Sequence, residues 1–158
     1  MKTLITYFSA SFGNTKKVAL RLASLLNGDV KEIEPLEIYT KDDLNWMDKK
    51  SRSTLEMQDR SSRPALKNKI DISSYDVIFV GFPVWWYREP SIIDTFLESC
   101  DFSNKTVIPF ATSGSSPIGE ANDNFVSFLP HSKVLPGRVI KMKESDEQLS
   151  SWLNSLLK

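Results

Sequence analysis

The sequence predicts an α/β fold, a parallel five-stranded sheet in the doubly wound order 2-1-3-4-5 with helices on both faces. Three observations carry this expectation. Short β-rich apolar runs alternate with helix-period segments along the chain. The strongest run, 75–82 (Tyr-Asp-Val-Ile-Phe-Val-Gly-Phe), is apolar at consecutive central positions, as in a strand buried on both faces. The length, 158 residues, suits one domain.

The elements follow in order. Residues 3–8 form the first strand. A polar turn, 9–15, leads into a helix with Val18, Ala19, Leu22, Leu25 and Leu26 at helical spacing, stopped by Asn27-Gly28. Residues 29–34 read as a weaker, polar strand suited to a sheet edge, ended by Pro35. After the strand at 75–82, Pro90-Ser91 opens a helix with Ile92, Ile93, Phe96 and Leu97 on one face. Residues 106–111 form another buried strand, in which Pro109 is an awkward member. A helix at 120–129, a final strand at 133–140 and a terminal helix at 144–157 complete the pattern. The last helix turns Leu149, Trp152, Leu153, Leu156 and Leu157 inward. Right-handed crossovers between parallel strands then give a three-layer α/β/α arrangement.

Residues 36–70 interrupt the alternation. The segment is highly charged yet contains Trp46, Met47, Leu55 and Met57. A structureless loop of that length is uncommon in a compact domain. It reads as an insertion with one or two short helices that covers a site, or else as a solvated surface excursion.

Composition excludes several functions. Lys+Arg and Asp+Glu both total 20, so the basic excess of a general nucleic-acid binder is missing. With one cysteine (Cys100) and one histidine (His131), neither a disulfide within the chain nor a Cys/His zinc cluster can form. Cys100 reads as a small buried hydrophobe and His131 as a surface residue beside Pro130. No run approaches the ~18 apolar residues of a membrane span. Met1-Lys2 passes directly into an apolar strand pattern with no room for a signal peptide, so a cytoplasmic protein is expected.

In an open α/β sheet of this order, ligands bind beyond the carboxyl ends of the strands, between the first and third. The turns 9–15, 83–90 and 112–119 converge there. The first holds Ser9, Ser11, Gly13, Asn14 and Thr15 before a helix N-terminus, a setting that binds an anion through free N–H groups and hydroxyls. It matches neither the Walker P-loop nor G-x-G-x-x-G; the competing reading is helix capping by Ser11 or Asn14. The second, Pro83-Val84-Trp85-Trp86-Tyr87-Arg88-Glu89-Pro90, cannot direct three consecutive aromatics into the core, so at least one or two are exposed. Their flat faces suit a flat ring; packing of Trp85 or Trp86 under a helix or in a homodimer interface is the competing use. Arg88 is expected as a solvated charge or a surface partner of Glu89. The third turn holds Thr112, Ser113, Gly114 and Gly119, whose small size lets backbone approach a ligand edge. It lacks the second glycine of a nucleophile elbow, and a sole histidine argues against a Ser-His-Asp triad. Together the turns describe a mononucleotide with an extended heteroaromatic ring.

At these motifs the chain resembles the flavodoxins. It is most similar to short bacterial flavodoxin-like proteins with Y-F-S-x-[ST]-G-N-T-K near the start, P-x-W-W after the third strand and F-x-T-S-G after the fourth. Here these read Tyr7-Phe8-Ser9-Ala10-Ser11-Phe12-Gly13-Asn14-Thr15-Lys16, Pro83-Val84-Trp85-Trp86 and Phe110-Ala111-Thr112-Ser113-Gly114. The inserted segment from Tyr39 through Ser53 and Glu56 is also similar to that subgroup, so the resemblance covers nearly the whole chain. It implies a flavodoxin-like sandwich binding FMN without a covalent link. Ser9, Ser11, Asn14 and Thr15 map onto the phosphate loop, Pro83 to Tyr87 onto the ring-stacking loop, and Thr112 to Gly119 onto the loop along the ring's other edge.

Two departures stand out. Phe12 is an extra residue between Ser11 and Gly13. Tyr87 stands where related sequences often have glycine, and no glycine lies between Pro83 and Pro90. A peptide flip beside the flavin, and with it strong stabilisation of a neutral semiquinone, is therefore not expected.

The resulting expectation is an FMN-binding carrier of electrons between partner proteins. The alternatives are an FMN-dependent NAD(P)H oxidoreductase acting on quinones or similar flat acceptors, and a cofactor-free binding module on the same fold. The neutral net charge differs from that of strongly acidic flavodoxins that dock on basic partners.

Overall fold

In the computed structural model, which describes residues 1–10 and 13–158, a twisted parallel sheet runs in the order β2-β1-β3-β4-β5. Its strands are β1 (Thr3–Tyr7), β2 (Asp29–Glu32), β3 (Val77–Pro83), β4 (Thr106–Thr112) and β5 (Lys133–Val134). The helices are α1 (Asn14–Leu26), α2 (Arg52–Gln58), α3 (Ser91–Ser99), α4 (Ala121–Phe128) and α5 (Asp146–Leu156).

Strand β3 shows why a near-continuous apolar run becomes a central strand. Its side chains alternate between the faces. Ile78, Val80 and Phe82 join one core with Ile92, Ile93 and Phe96 of α3 and Phe125 of α4. Val77 and Phe79 join the other with Val18, Ala19 and Leu22 of α1 and Leu149 and Leu153 of α5. Strand β2, of which no residue is buried, takes the edge, as its polarity requires. Helix α5 starts with a capping box in which Ser145 and Gln148 satisfy each other's backbone N–H groups. Its Trp152, Leu156 and Leu157 pack at the margin of the second core.

The final strand differs from the expected continuous 133–140. It is split into β5 and a second segment, β6 (Arg138–Val139), both pairing with β4. The cause lies in both partners. Pro109 of β4 has no N–H to give to a ladder, and Pro136-Gly137 faces it. Gly137 approaches so closely that a Cβ there would lie 1.6 Å from the Pro109 carbonyl oxygen. The side chain of Asn122 in α4 supplies the missing partners, accepting from Gly137 N at 2.9 Å and donating to Gly137 O at 3.2 Å.

Residues 36–70 contain turns, the short helix α2 and a bridge from Pro35 to Leu66. Tyr39 packs against the core on the α3 side of the sheet, and Met57 is buried beside Ser91 at the start of α3. Cys100 is half-buried at the end of α3 rather than inside the core, and its thiol donates to Ile70 O. His131 is exposed.

Candidate functional site

The loops after β1, β3 and β4 meet at the carboxyl edge of the sheet, and two connected cavities lie between them. The inner one, about 240 Å³, is lined by Ala10, Asn14, Thr15, Pro83, Val84, Trp85, Thr112, Ser113 and Gly114. The outer one, about 570 Å³, shares Val84, Trp85 and Gly114 with it and adds Trp86, Tyr87, Ser115 and Ser116. Its remaining wall is Leu44, Trp46 and Ser53, from the inserted segment. Ligand sites commonly have this volume.

The inner cavity has the chemistry of an anion seat. Helix α1 begins there behind Gly13, which has φ 72° and whose cap position carries no side-chain hydrogen bond. The N–H groups of the first helical turn have no intrahelical partners and sit at the positive end of the helix dipole. Ser9 Oγ is buried with no partner among the described residues. A buried hydroxyl in that state is costly unless something fills its hydrogen-bonding capacity. Thr15 is buried, and its hydroxyl shares a 2.8 Å hydrogen bond with that of Thr112, which ties the first loop to the third. Ser11, expected in the same turn, lies outside the described residues.

The outer cavity is aromatic, and no charged side chain lines it among the described residues. Trp86 and Tyr87 are exposed, whereas Trp85 is half-buried. Trp85 packs edge-on against Phe8 (5.7 Å between centroids) and Tyr39 (5.5 Å). Tyr39 is in turn held from the insertion: the Arg52 guanidinium lies 3.8 Å from its ring centre, and its hydroxyl bonds Glu56. Burial, and then the Glu56 carboxylate, push the Tyr39 phenol far above its ordinary range. Tyr39 is therefore a neutral brace for Trp85.

The Trp86–Tyr87 backbone is unusual for its residue types. Both residues have positive φ, 48° and 64°, although neither is glycine. They are the central pair of a two-residue turn closed by Trp85 N→Arg88 O (3.1 Å) and Arg88 N→Trp85 O (3.2 Å). Positive φ at both central residues marks a type I′ turn, normally built from Asn and Gly. Left-handed backbone costs such residues about 1–2 kcal/mol each, so the surroundings must fix it. Glu120 N donates to Tyr87 O at 2.9 Å, and a Cβ on Gly119 would lie 2.0 Å from that same oxygen. Gly119, expected along a ligand edge, stands here as the close support of Tyr87.

Arg88 corrects an expectation. It is neither solvated nor a surface partner of the Glu89 carboxylate. It is 3% exposed, donates to Met57 O (3.1 Å) and Glu89 O (3.2 Å), and lies 3.6 Å from Asp94 Oδ2. Glu89 is fully buried and accepts from Asn124 of α4 at 2.9 Å.

Sequence reasoning thus placed Asn14, Thr15, Pro83, Val84, Trp85, Trp86, Tyr87, Thr112, Ser113 and Gly114 where the structure gathers them. Leu44, Trp46 and Ser53, and the braces Tyr39, Arg52 and Glu56, were not among the expected site residues. The signal for them was the apolar content of a charged tract.

A family model described as flavodoxin matches residues 2–156. The chain belongs to the flavodoxin family. A candidate flavoprotein from Bacteroides eggerthii DSM 20697 is 40% identical, with a TM-score of 0.94 and coverage of 99% of this chain and 98% of that one. One from Bacteroides uniformis ATCC 8492 is 46% identical, with a TM-score of 0.91 and 97% of each chain covered. A flavoprotein from Lactobacillus acidophilus NCFM, solved in complex with FMN, is 25% identical, with a TM-score of 0.71, covering 96% of this chain and 98% of that one. No curated protein matches the chain. No described helix of this flavodoxin is long and apolar enough to cross a membrane.

Proposed function

We propose that this flavodoxin binds FMN without a covalent link and carries electrons between redox partners. The observation that supports it most is the polarity of the joined cavities. Beside one end, among the described residues, lie a buried hydroxyl without a partner (Ser9) and a helix N-terminus without a side-chain cap; the other end offers an uncharged aromatic space. FMN has a phosphate at one end and a flat ring at the other. In this reading Ser9, Asn14 and Thr15 hold the phosphate, Trp85, Trp86 and Tyr87 contact the ring, and Thr112 to Gly114 read the edge between. FMN supplies the electron chemistry. The chain's own residues orient it, exclude water from its ring and set the local polarity. An uncharged cavity solvates negative charge poorly, so it opposes full reduction. Arg88 does not offset this, because it lines neither cavity.

A visible spectrum of the purified chain, followed by FMN titration, tests the proposal. Flavin absorbance bands and saturable binding are expected. A chain that stays colourless in excess FMN sinks it. Trp86→Ala is expected to weaken FMN by about 1–3 kcal/mol through lost stacking and area burial.

A second reading, an NAD(P)H oxidoreductase for flat acceptors, is favoured by the uncharged mouth bounded by Trp46, which is 72% exposed. Direct bleaching of the FMN-loaded protein by NAD(P)H distinguishes it from a carrier that requires a protein donor.

A further inference from the structure

The ring-facing turn is held by a buried group of ionisable side chains that the binding of FMN does not itself use. Arg88, Glu89 and Asp94 are 3%, 0% and 3% exposed. They sit where the turn, α2, α3 and α4 meet. Arg88 reaches Met57 O at the C-terminal turn of α2 and Asp94 on α3, and Glu89 is bound by Asn124 on α4. Ser91 at the start of α3 donates to Glu56 O, a second tie to α2.

We propose that Arg88 is the positioning residue of the flavin site: from the buried side of the Trp86–Tyr87 turn it fixes the left-handed backbone that presents both rings to the cleft. The inference rests on the FMN reading above. Arg88 is not among the residues lining either cavity, so it acts through the turn.

Two consecutive non-glycine residues in left-handed backbone persist only where neighbouring structure dictates them. Gly119 and Glu120 fix the Tyr87 carbonyl from one side. On the other side, the backbone of Arg88 closes the turn, and its side chain donates to Met57 O of α2 and to the neighbouring Glu89 O and lies 3.6 Å from Asp94 Oδ2 of α3. A planar guanidinium with several donors in fixed directions can satisfy two carbonyls and face a carboxyl together; an ammonium cannot.

Charge balance supports this assignment. One cation and two carboxylates, all buried, would leave an uncompensated negative charge, which is costly. Asp94 resolves it by keeping its proton. Burial first, and then hydrogen bonding and charge from Glu89, push its carboxyl up to about 9, against opposing pulls from Arg88 and Arg63. The other charges facing the group are Arg60 and Arg63, which form outer ion pairs with Glu120 and Glu98. With Asp94 protonated, Arg88 and Glu89 cancel.

The test compares binding of FMN and riboflavin, followed by flavin fluorescence, in wild type, Arg88→Lys and Asp94→Asn, with folding checked by circular dichroism. Arg88→Lys is expected to weaken both flavins by the same factor, about tenfold, because the loss is at the ring end. Asp94→Asn, which reproduces the protonated acid in shape, is expected to retain wild-type affinity. If Arg88→Lys does not fold, Asn124→Ala, at the edge of the group, is expected to show a smaller loss, equal for both flavins. A folded Arg88→Lys with unchanged affinities overturns the proposal, or a folded Asn124→Ala with unchanged affinities where Arg88→Lys does not fold, as does a loss confined to FMN or a loss in Asp94→Asn equal to that in Arg88→Lys. If wild type binds neither flavin, the FMN reading fails by itself. The positioning role is then read from the indole NMR signals of Trp85 and Trp86: movement in Arg88→Lys supports it, and unmoved signals overturn it.

Discussion

Thr15 and Thr112 share one hydrogen bond, and in the proposed FMN site Thr15 faces the phosphate end alone. The phosphate is absent from riboflavin, and hydrogen bonds to charged groups contribute about 1.5–3 kcal/mol. Thr15→Ala is therefore expected to weaken FMN by at least about tenfold and riboflavin much less. Equal losses, measured by titration with each flavin, would place the phosphate elsewhere. The hydroxyls of this turn were legible in the sequence because residue type and position before a helix suffice to suggest an anion seat. Arg88 was not legible. In the sequence it is one cation beside Glu89, and nothing local says that α2 and α3 close over it. The same holds for Gly119, whose duty depends on a carbonyl far away in sequence.

At the scale of elements, β5 and β6 show what periodicity leaves out. Residues 133–140 carry a strand pattern, but the ladder depends on the partner. Pro109 withholds a donor, and Gly137 and Asn122 repair the gap. Gly137→Ala must push a Cβ into the Pro109 carbonyl, so a loss of about 1–3 kcal/mol in urea unfolding is expected, as for overpacked interiors. A change within a few tenths would show that this edge yields freely. The inserted segment is the opposite case. Its charge hid three wall residues, because Leu44, Trp46 and Ser53 have no regular spacing and become neighbours only when the start of α2 and the turns before it fold against the β3 loop.

Across the whole molecule, ionisation sets the pH range of stability. Asp43, Asp59, Asp71 and Asp101 are held below their ordinary value chiefly by hydrogen bonds from nearby residues, and Glu144 by Arg138 and the Lys141 N–H against the opposing effect of burial. Their contribution is present above the unfolded-state value and is lost as pH falls through the folded one. Asp94 acts in the other direction. Its unfolded value is 3.8 and its folded value about 9, so the folded chain retains a proton that the unfolded chain releases. Stability from this group is complete below the lower value and declines as pH rises toward the upper one. Tyr7, raised to about 12 mainly by burial and then by Glu32, adds a further decline beyond its ordinary value of 10.0. Urea midpoints across pH are expected to fall on the alkaline side in wild type and to flatten between the two Asp94 values in Asp94→Asn. The same slope in both proteins would assign the decline to other groups.

The sequence by itself determined the parallel sheet, its strand order, and the meeting of a hydroxyl-rich turn with an aromatic one at its carboxyl edge. Those follow from local periodicity and from the rules of strand connection, which need no knowledge of distant neighbours. Tertiary structure decided which aromatic is braced and which are presented, where the last strand breaks, and how a buried arginine came to underpin a strained turn. Such features arise from contacts between segments far apart in the chain, whose energies depend on approach and burial that no local pattern encodes.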